Sequence, residues 1–464
     1  MKKTFRIFAL ALAVAMIFSL AACDNGGSTD NDDSQITSSQ QERDVQLQGK
    51  TIKVACWWAP MPVADAATEE ARLHYYQYES AMEKYGFNVK EIVVDQRDIR
   101  TNFEASLMSG DIWADIIYMR AEQAMKWAQK GNLLDLTDLY PMDSVEYNQS
   151  MREYFTLDGK TYAFTYYEDN AENLIAFNKN IFDRVGLAYP YELVENKQWT
   201  WDKFIEYVQK ATIRDSVTDK IDVYGFYAHT TTYSAESFMY TAIGRQLIEI
   251  DANGDYVSNL EDAEVIAFMN KVRDLNLMDG VYLPPANVTS WSDAPVKFKS
   301  GRIAMYRWSM SGGPNALKDM EDDWGVVPIP TLNTGEDYKF MNATQNVQVM
   351  PAALSADMKW AEDVAYVYHQ IYKTPYTDEE RAAARVSLFE TQLRDKESAK
   401  LVMNITNNCP VTLQNSTMIG SDDHWTKIDI PFIKAISGQD TISRTFASIE
   451  SAHKAIVDQA NEEK

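Results

Sequence analysis

Basic residues are scarce in this chain. Its 464 residues hold 44 Lys and Arg against 68 Asp and Glu, a formal net charge of −24. So acidic a surface repels phosphate backbones and anionic headgroups, which argues against binding nucleic acid or a membrane surface. Cysteine is nearly absent: the 3 present cannot build a disulfide framework. The 5 histidines, at 74, 229, 369, 424 and 453, show no metal-ligand spacing, so neither metal nor cofactor is expected. Asp251-Ala-Asn253-Gly-Asp255 has the look of a calcium loop, but Tyr256 takes the sixth position where Gly is required and Asp262 the twelfth where Glu is usual. A hairpin turn is the better reading. P-loop, Gly-x-Ser-x-Gly and His-Glu-x-x-His motifs are missing, and no segment beyond the N-terminus approaches transmembrane length. Disorder over most of the length is excluded too, because 45% of the residues are hydrophobic and 24% charged.

The N-terminus carries the first positive signal. Lys2, Lys3 and Arg6 precede an apolar run from Ile7 to Leu20, the layout of a secretory signal peptide over residues 1–22. Leu20-Ala21-Ala22-Cys23 then resembles a bacterial lipobox, which implies cleavage before Cys23 and its diacylation. An ordinary Ala-x-Ala cleavage site with an incidental Cys23 is the alternative. Two acyl chains hold a protein stably at a bilayer where one is marginal. The mature chain would keep 41 basic and 68 acidic residues, a net −27. Residues 24–48 are polar and low in complexity, and with Cys23 they read as a disordered tether over 23–48. As flexible coil, 25 residues span about 28 Å.

The body alternates strand and helix signals. Thr51–Cys56 alternates with period two, Val63–Lys84 reads as a helix closed by Gly86, and Asn88–Val94 is β-rich. A helix over Ile99–Met108 and a short strand at Asp115–Tyr118 follow. That order implies an α/β fold with parallel pairing and right-handed crossovers. Ligands in such sheets bind beyond the carboxyl ends of the strands, here at Trp57-Trp58, Asp95-Gln96 and Tyr118-Met119-Arg120. Further on, Thr200 is placed to cap a helix with Trp201, Phe204, Ile205, Val208 and Ala211 at helical spacing. Asn259–Leu275 and Ser355–Tyr372 also read as helices, and Thr377-Asp-Glu-Glu380 has capping-box form.

Six motifs in order carry a resemblance. They are Ser106-Leu-Met-Ser-Gly110-Asp111 with Ala114-Asp115-Ile-Ile; Gly131-Asn-Leu-Leu-Asp135-Leu; and Asp158-Gly-Lys-Thr-Tyr162-Ala-Phe. Next come Ile175-Ala-Phe-Asn178-Lys179-Asn-Ile-Phe182 with Trp199-Thr-Trp201-Asp202, Phe298-Lys-Ser-Gly301-Arg-Ile-Ala-Met305, and Trp324-Gly-Val-Val-Pro328-Ile-Pro330. Together they resemble the solute-binding proteins of ABC importers, in the carbohydrate-binding, maltose-binding-protein-like cluster. Ala114 and Thr165 depart from it, standing where Pro is common. The resemblance implies a two-lobed periplasmic-binding-protein-like fold of type II with three hinge crossings, near 165–173, 303–308 and 342–349. Lobe one would hold 49–168 plus 306–344, and lobe two 172–303 plus 348–464. Cys56 and Cys409 read as buried free thiols, since a bridge between them would tie the lobes together and oppose hinge motion.

A neutral sugar offers hydroxyls on its rim and C–H faces above and below, so its site needs aromatic planes and hydrogen-bonding groups. Trp57 and Trp58 are first candidates, because two adjacent residues at a strand end cannot easily both point inward. Tyr118 and Arg120 share that edge of the sheet, although Arg120 has the structural alternative of balancing Asp115. Tyr166, Tyr167, Glu168, Asp169 and Asn170 lie on the first crossing; for Asp169, solvated charge is nearly as good a reading. Trp308 and Asn342, with Gln345, lie on the other crossings, and Ser311-Gly312-Gly313-Pro314 opens a helix or a tight turn. Tyr233, Trp291 and Trp425 are lower-grade candidates. Trp113, Trp127, Trp201, Trp324 and Trp360 sit in core patterns.

The expected role is capture of a sugar or oligosaccharide by hinge closure, and delivery to ABC permease subunits by a monomer held to the outer face of the membrane only through lipid. Two alternatives stay open. One is a secreted glycoside hydrolase, which needs carboxylates about 5–9.5 Å apart across a cleft. The other is the same receptor for a non-sugar solute.

Overall fold

A computed structural model describes residues 43–66, 69–142, 147–166, 173–228, 230–285, 288, 290–310, 313–342, 346–373, 393–408, 411–419 and 424–462. The hydrophobic residues gather around two sheets. In chain order the strands that matter here are β1 (Thr51–Cys56), β2 (Asn88–Val93), β3 (Ile116–Arg120), β4 (Leu174–Asn178) and β5 (Phe226–Tyr227). Then come β6 (Val281–Tyr282), β7 (Met305–Trp308), β8 (Trp324–Pro328) and β9 (Asn346–Val349). The helices named below are α1 (Glu69–Tyr85), α2 (Gln96–Ser109), α3 (Ala121–Gln129), α4 (Trp201–Ala211), α5 (Thr232–Ile243) and α6 (Met358–Tyr372).

The first sheet has the order β9-β3-β1-β2. β1 lies between β2 and β3 and is parallel to both, while β9 closes the β3 side antiparallel. Strand alternation sorts its side chains. Ile52, Val54 and Ile116 face a core shared with α1 and α6, and Tyr118 packs against that same core. Ala55, Ile117 and Met119 face the other side, toward α2 and α3. Gly86 ends α1 with φ +65°, a conformation that a residue without a Cβ adopts freely.

The second sheet has the order β6-β5-β7-β4-β8. All five residues of β4 are buried, as expected for a strand covered on both faces. It pairs antiparallel with β7 on one side and β8 on the other. The Thr200 hydroxyl caps α4, accepting from the Lys203 N–H at 3.5 Å. Trp201, Phe204, Tyr207, Val208 and Ala211 then turn one stripe of α4 into the core.

Sheet membership differs from the expected lobe boundaries in two respects. β7 and β8 lie inside the expected 306–344 part of lobe one, yet both pair with β4 in the second sheet. The reason is that β4 needs a partner on each edge, and these two supply them. Conversely, β9 pairs with β3, and α6 packs on α1 in the first core. The chain therefore passes between the two bodies after Tyr166, between Asn342 and Asn346, and again between Lys373 and Leu393. Residues 303–308 are not a crossing but lead into the interior strand β7.

The expected tether also ends earlier. Val45 and Leu47 are buried in the first core, and the Leu47 N–H donates to the Tyr85 carbonyl at 2.8 Å. Arg43 pairs with Glu362 at 2.8 Å. In a polar stretch, these two apolar residues spaced by two send both side chains to one side, and that docks Arg43–Gln48 onto the body. Residues 1–42 lie outside the described part, as do Cys23 and the capping box at 377–380. Among the described residues no helix is long and apolar enough to cross a membrane.

Candidate ligand-binding site

The carboxyl ends of β1 and β3 bring four of the expected residues onto one edge. Trp57 and Trp58 follow β1, and alternation sends them to opposite sides. Trp57 packs on the core toward α2 and α3, whereas Trp58 stays 39% exposed. Their rings meet edge to face at 4.8 Å. Trp58 also meets Tyr118 in a T-shaped contact, with centroids 5.2 Å apart. Arg120 ends β3 opposite Asn346 of β9. It stands a strand's length from Asp115, whose carboxylate instead accepts from the Lys53 N–H at 2.7 Å and the Trp360 indole at 2.8 Å.

Behind this edge lies an aromatic network that the sequence did not reveal. The Tyr118 hydroxyl is 2.8 Å from that of Tyr368 on α6. Tyr368 and Tyr372 lie one turn apart on that helix, their rings 5.0 Å apart. Tyr372 reaches Tyr166 at 5.1 Å, and Tyr166 stacks on Tyr147 at 5.2 Å. The Tyr147 hydroxyl closes the chain on His369 Nδ1 at 2.7 Å. Burial pushes the Tyr166 and Tyr368 phenols well above their ordinary range and lowers the His369 imidazole to about 4. The Tyr166 and Tyr368 phenols and the His369 imidazole therefore stay neutral at physiological pH. Trp58 and Tyr118 set uncharged rings and a polar hydroxyl beside the Arg120 guanidinium, a combination suited to C–H faces and rim hydroxyls.

On the other body, Tyr233 sits in the first turn of α5 and carries the Arg307 guanidinium 4.4 Å from its ring centre. Arg307 Nε donates to Asn173 Oδ1 at 2.7 Å, and Asn173 Nδ2 donates to the Met341 carbonyl at 2.5 Å. Arg307 thus ties Tyr233 to residues at the second-body ends of two crossings. A buried Arg one residue before the expected Trp308 was the signal that sequence reasoning passed over.

Trp308 itself lies in the core of the second sheet, 2% exposed, with Trp324 at 5.7 Å. Gly313 lies against its indole, where a Cβ would collide with the ring, so this glycine serves close packing. Trp425 is 57% exposed at the start of a π-helical turn. Trp291 lies on the helix Ser290–Lys299 and Asn342 ends the strand Phe340–Asn342. Tyr167, Glu168, Asp169, Asn170, Ser311, Gly312 and Gln345 fall outside the described residues. Among the core tryptophans, Trp201 and Trp324 are buried, while Trp113, Trp127 and Trp360 pack partly buried on the first body. The sequence Asp251–Asp255 forms the turn of a hairpin, with Asp251 Oδ1 accepting from the N–H groups of Asn253 and Asp255 at 2.8 and 2.9 Å.

The two bodies also touch beside this edge. Leu413 and Ile419 pack on the first body's core, and the Tyr256 phenol shares a hydrogen bond with Tyr154. The segment carrying Leu413 is held from behind by buried Glu236, which accepts from Gln414 Nε2 and Ser416 Oγ.

Comparison with known proteins decides the family. The family described as "Bacterial extracellular solute-binding protein" matches residues 66–360. The chain belongs to that family. Its members work outside the cytoplasm, and the two-lobed type II fold accounts for the pair of sheets. Curated proteins gave no match. Among solved structures, an ABC substrate-binding protein from Listeria monocytogenes in complex with cycloalternan is 17% identical, with TM-score 0.60, covering 88% of this chain and 99% of that one. UgpB from Mycobacterium tuberculosis in complex with glycerophosphocholine is 16% identical, with TM-score 0.63 and the same coverages of 88% and 99%. The maltose/maltodextrin-binding domain MalE from Bdellovibrio bacteriovorus, bound to maltotriose, is 16% identical, with TM-score 0.58, again covering 88% and 99%.

Proposed function

We propose that this solute-binding protein captures a sugar or oligosaccharide between its two bodies and delivers it to an ABC permease. The observation that carries the reading is Trp58, a large aromatic left 39% exposed at the carboxyl end of β1 and braced by two rings in T-shaped contacts. An indole face held this way offers a flat apolar plane to sugar C–H groups. Tyr118 and Arg120 stand on the same body to meet hydroxyls, and Tyr233 serves from the other; Trp57 backs the platform. Tyr167, Glu168, Asp169, Trp291, Trp308 and Asn342 complete the proposed set, Trp308 by shaping the second sheet beneath its crossings. Several solved relatives are described as holding sugars, which supports the same class of ligand.

Each body supplies half of the site, and bound ligand shifts the population toward the closed form. The closed form then presents a surface from both bodies to the permease. Diacylated Cys23, exposed by loss of residues 1–22, holds the chain to the membrane, with a tether that ends where Arg43 docks. The protein acts as a monomeric receptor and returns its ligand unchanged.

The test is a thermal-shift panel on the intact chain with mono- and oligosaccharides, maltotriose and glycerophosphocholine included. A ligand at 100 times its Kd adds about 2.7 kcal/mol of stability. A sugar that raises Tm and is recovered uncleaved supports the proposal. A response to glycerophosphocholine alone moves the ligand class, and release of shorter sugars makes the chain a hydrolase.

A further inference from the structure

The aromatic network does more than fill space behind the candidate site. Tyr368 is buried and Tyr372 partly buried at positions where phenylalanine would fill the same volume, yet both spend a hydroxyl. The Tyr368 hydroxyl bonds that of Tyr118 at 2.8 Å. Tyr372 donates to the Pro60 carbonyl at 3.0 Å. Pro60 lies two residues past Trp58, on the loop that carries both tryptophans, and Tyr118 is a ring in T-shaped contact with Trp58. One turn of α6 therefore grips the platform at two points, the loop beyond Trp58 and the ring beside it. A buried hydroxyl without a partner is costly, so each bond favours one placement of the element it holds.

We infer that Tyr368 and Tyr372 are positioning residues that fix the orientation of Trp58 for ligand, although neither lies at the exposed edge itself. The consequence for ligand rests on the proposed sugar-binding role; the consequence for Trp58 does not. Losing either bond leaves the rings in place and releases the indole to sample other rotamers. The ordering of Trp58 is then taken from the binding free energy, and affinity falls about fivefold for a lost neutral hydrogen bond.

The experiment uses Tyr368→Phe, Tyr372→Phe, Tyr118→Phe and the double variant Tyr118→Phe/Tyr368→Phe of the intact chain. The readouts are acrylamide quenching and near-ultraviolet circular dichroism, with the Trp58 contribution taken as the difference from Trp58→Phe. Maltotriose titration runs alongside. In Tyr368→Phe and Tyr372→Phe, Trp58 should quench more readily and its dichroism should weaken. Adding Tyr368→Phe to Tyr118→Phe should change less than Tyr368→Phe does alone, because the shared bond is already gone and only the contact of Tyr368 with the Tyr372 hydroxyl is left to lose. Unchanged Trp58 signals in both single variants, with the fold intact, overturn the inference. If Tyr372→Phe does not fold, Tyr368→Phe alone decides it. If the Trp58 signals move but the unaltered chain binds no sugar, the positioning role stands and the sugar reading falls.

Discussion

Tyr118 and Tyr368, 250 positions apart, meet hydroxyl to hydroxyl at 2.8 Å, and that contact fastens α6 to the end of β3. Because β3 ends beside Trp58, the same contact links the first core to the exposed rim of the candidate site.

Trp308 belongs to stability as well as to the proposed site. Its indole is buried against Trp324 and Gly313, so Trp308→Ala should cost about 3–5 kcal/mol, as for other large-to-small core changes. Urea denaturation measures it. A loss below about 1 kcal/mol would mean the ring is not core.

Acid should destabilise the fold through two buried histidines. His369 and His453 are both lowered to about 4 by burial. Between about 4 and 6.5 the unfolded chain binds protons that the folded chain refuses. Stability therefore rises with pH across that window, and acidification removes about 3 kcal/mol for each histidine. Glu236, raised by burial, acts in the opposite sense just above its ordinary range. His453→Gln should flatten the fall in Tm between pH 6.5 and pH 4. An equally steep fall in both His453→Gln and His369→Gln would remove the histidines as its cause.

Leu47 is 2% exposed where a disordered tether was expected. Leu47→Ala should lower stability by about 2 kcal/mol or more, and hydrogen exchange should protect the Leu47 N–H bonded to Tyr85. Full exchange at that amide within seconds would return residues 43–48 to the tether.

Cys56 is a buried free thiol at the end of β1, and burial pushes its pKa up to about 12. Thiolate is the reactive form. Iodoacetamide should therefore leave Cys56 unmodified in the folded chain and label it in urea, as read by peptide mass spectrometry. Rapid labelling of the native chain would contradict its burial.

What could be read in advance was local. β1 runs over the expected Thr51–Cys56, Thr200 caps its helix, and Gly86 ends α1. Period and capping chemistry act within a few residues, so the sequence displays them. Trp57 and Trp58 were legible for the same reason: alternation at a strand end leaves one of two neighbours outside. Tyr147, Tyr368 and Tyr372 were not legible, because in sequence a buried tyrosine whose hydroxyl is used looks like any core aromatic. The lobe boundaries failed on a pairing problem. Nothing near Met305 or Trp324 declares that β4, more than a hundred residues earlier, needs antiparallel partners on both edges.

The central claim is that Trp58 presents an aromatic face to a sugar held between two bodies. Its most direct test is calorimetric titration of the intact chain and of Trp58→Ala with the oligosaccharide that gives the largest thermal shift. Saturable binding is expected to weaken at least tenfold in Trp58→Ala, a loss of about 1.4 kcal/mol or more, while Tm without ligand stays nearly unchanged. Equal affinity in the two proteins would contradict it.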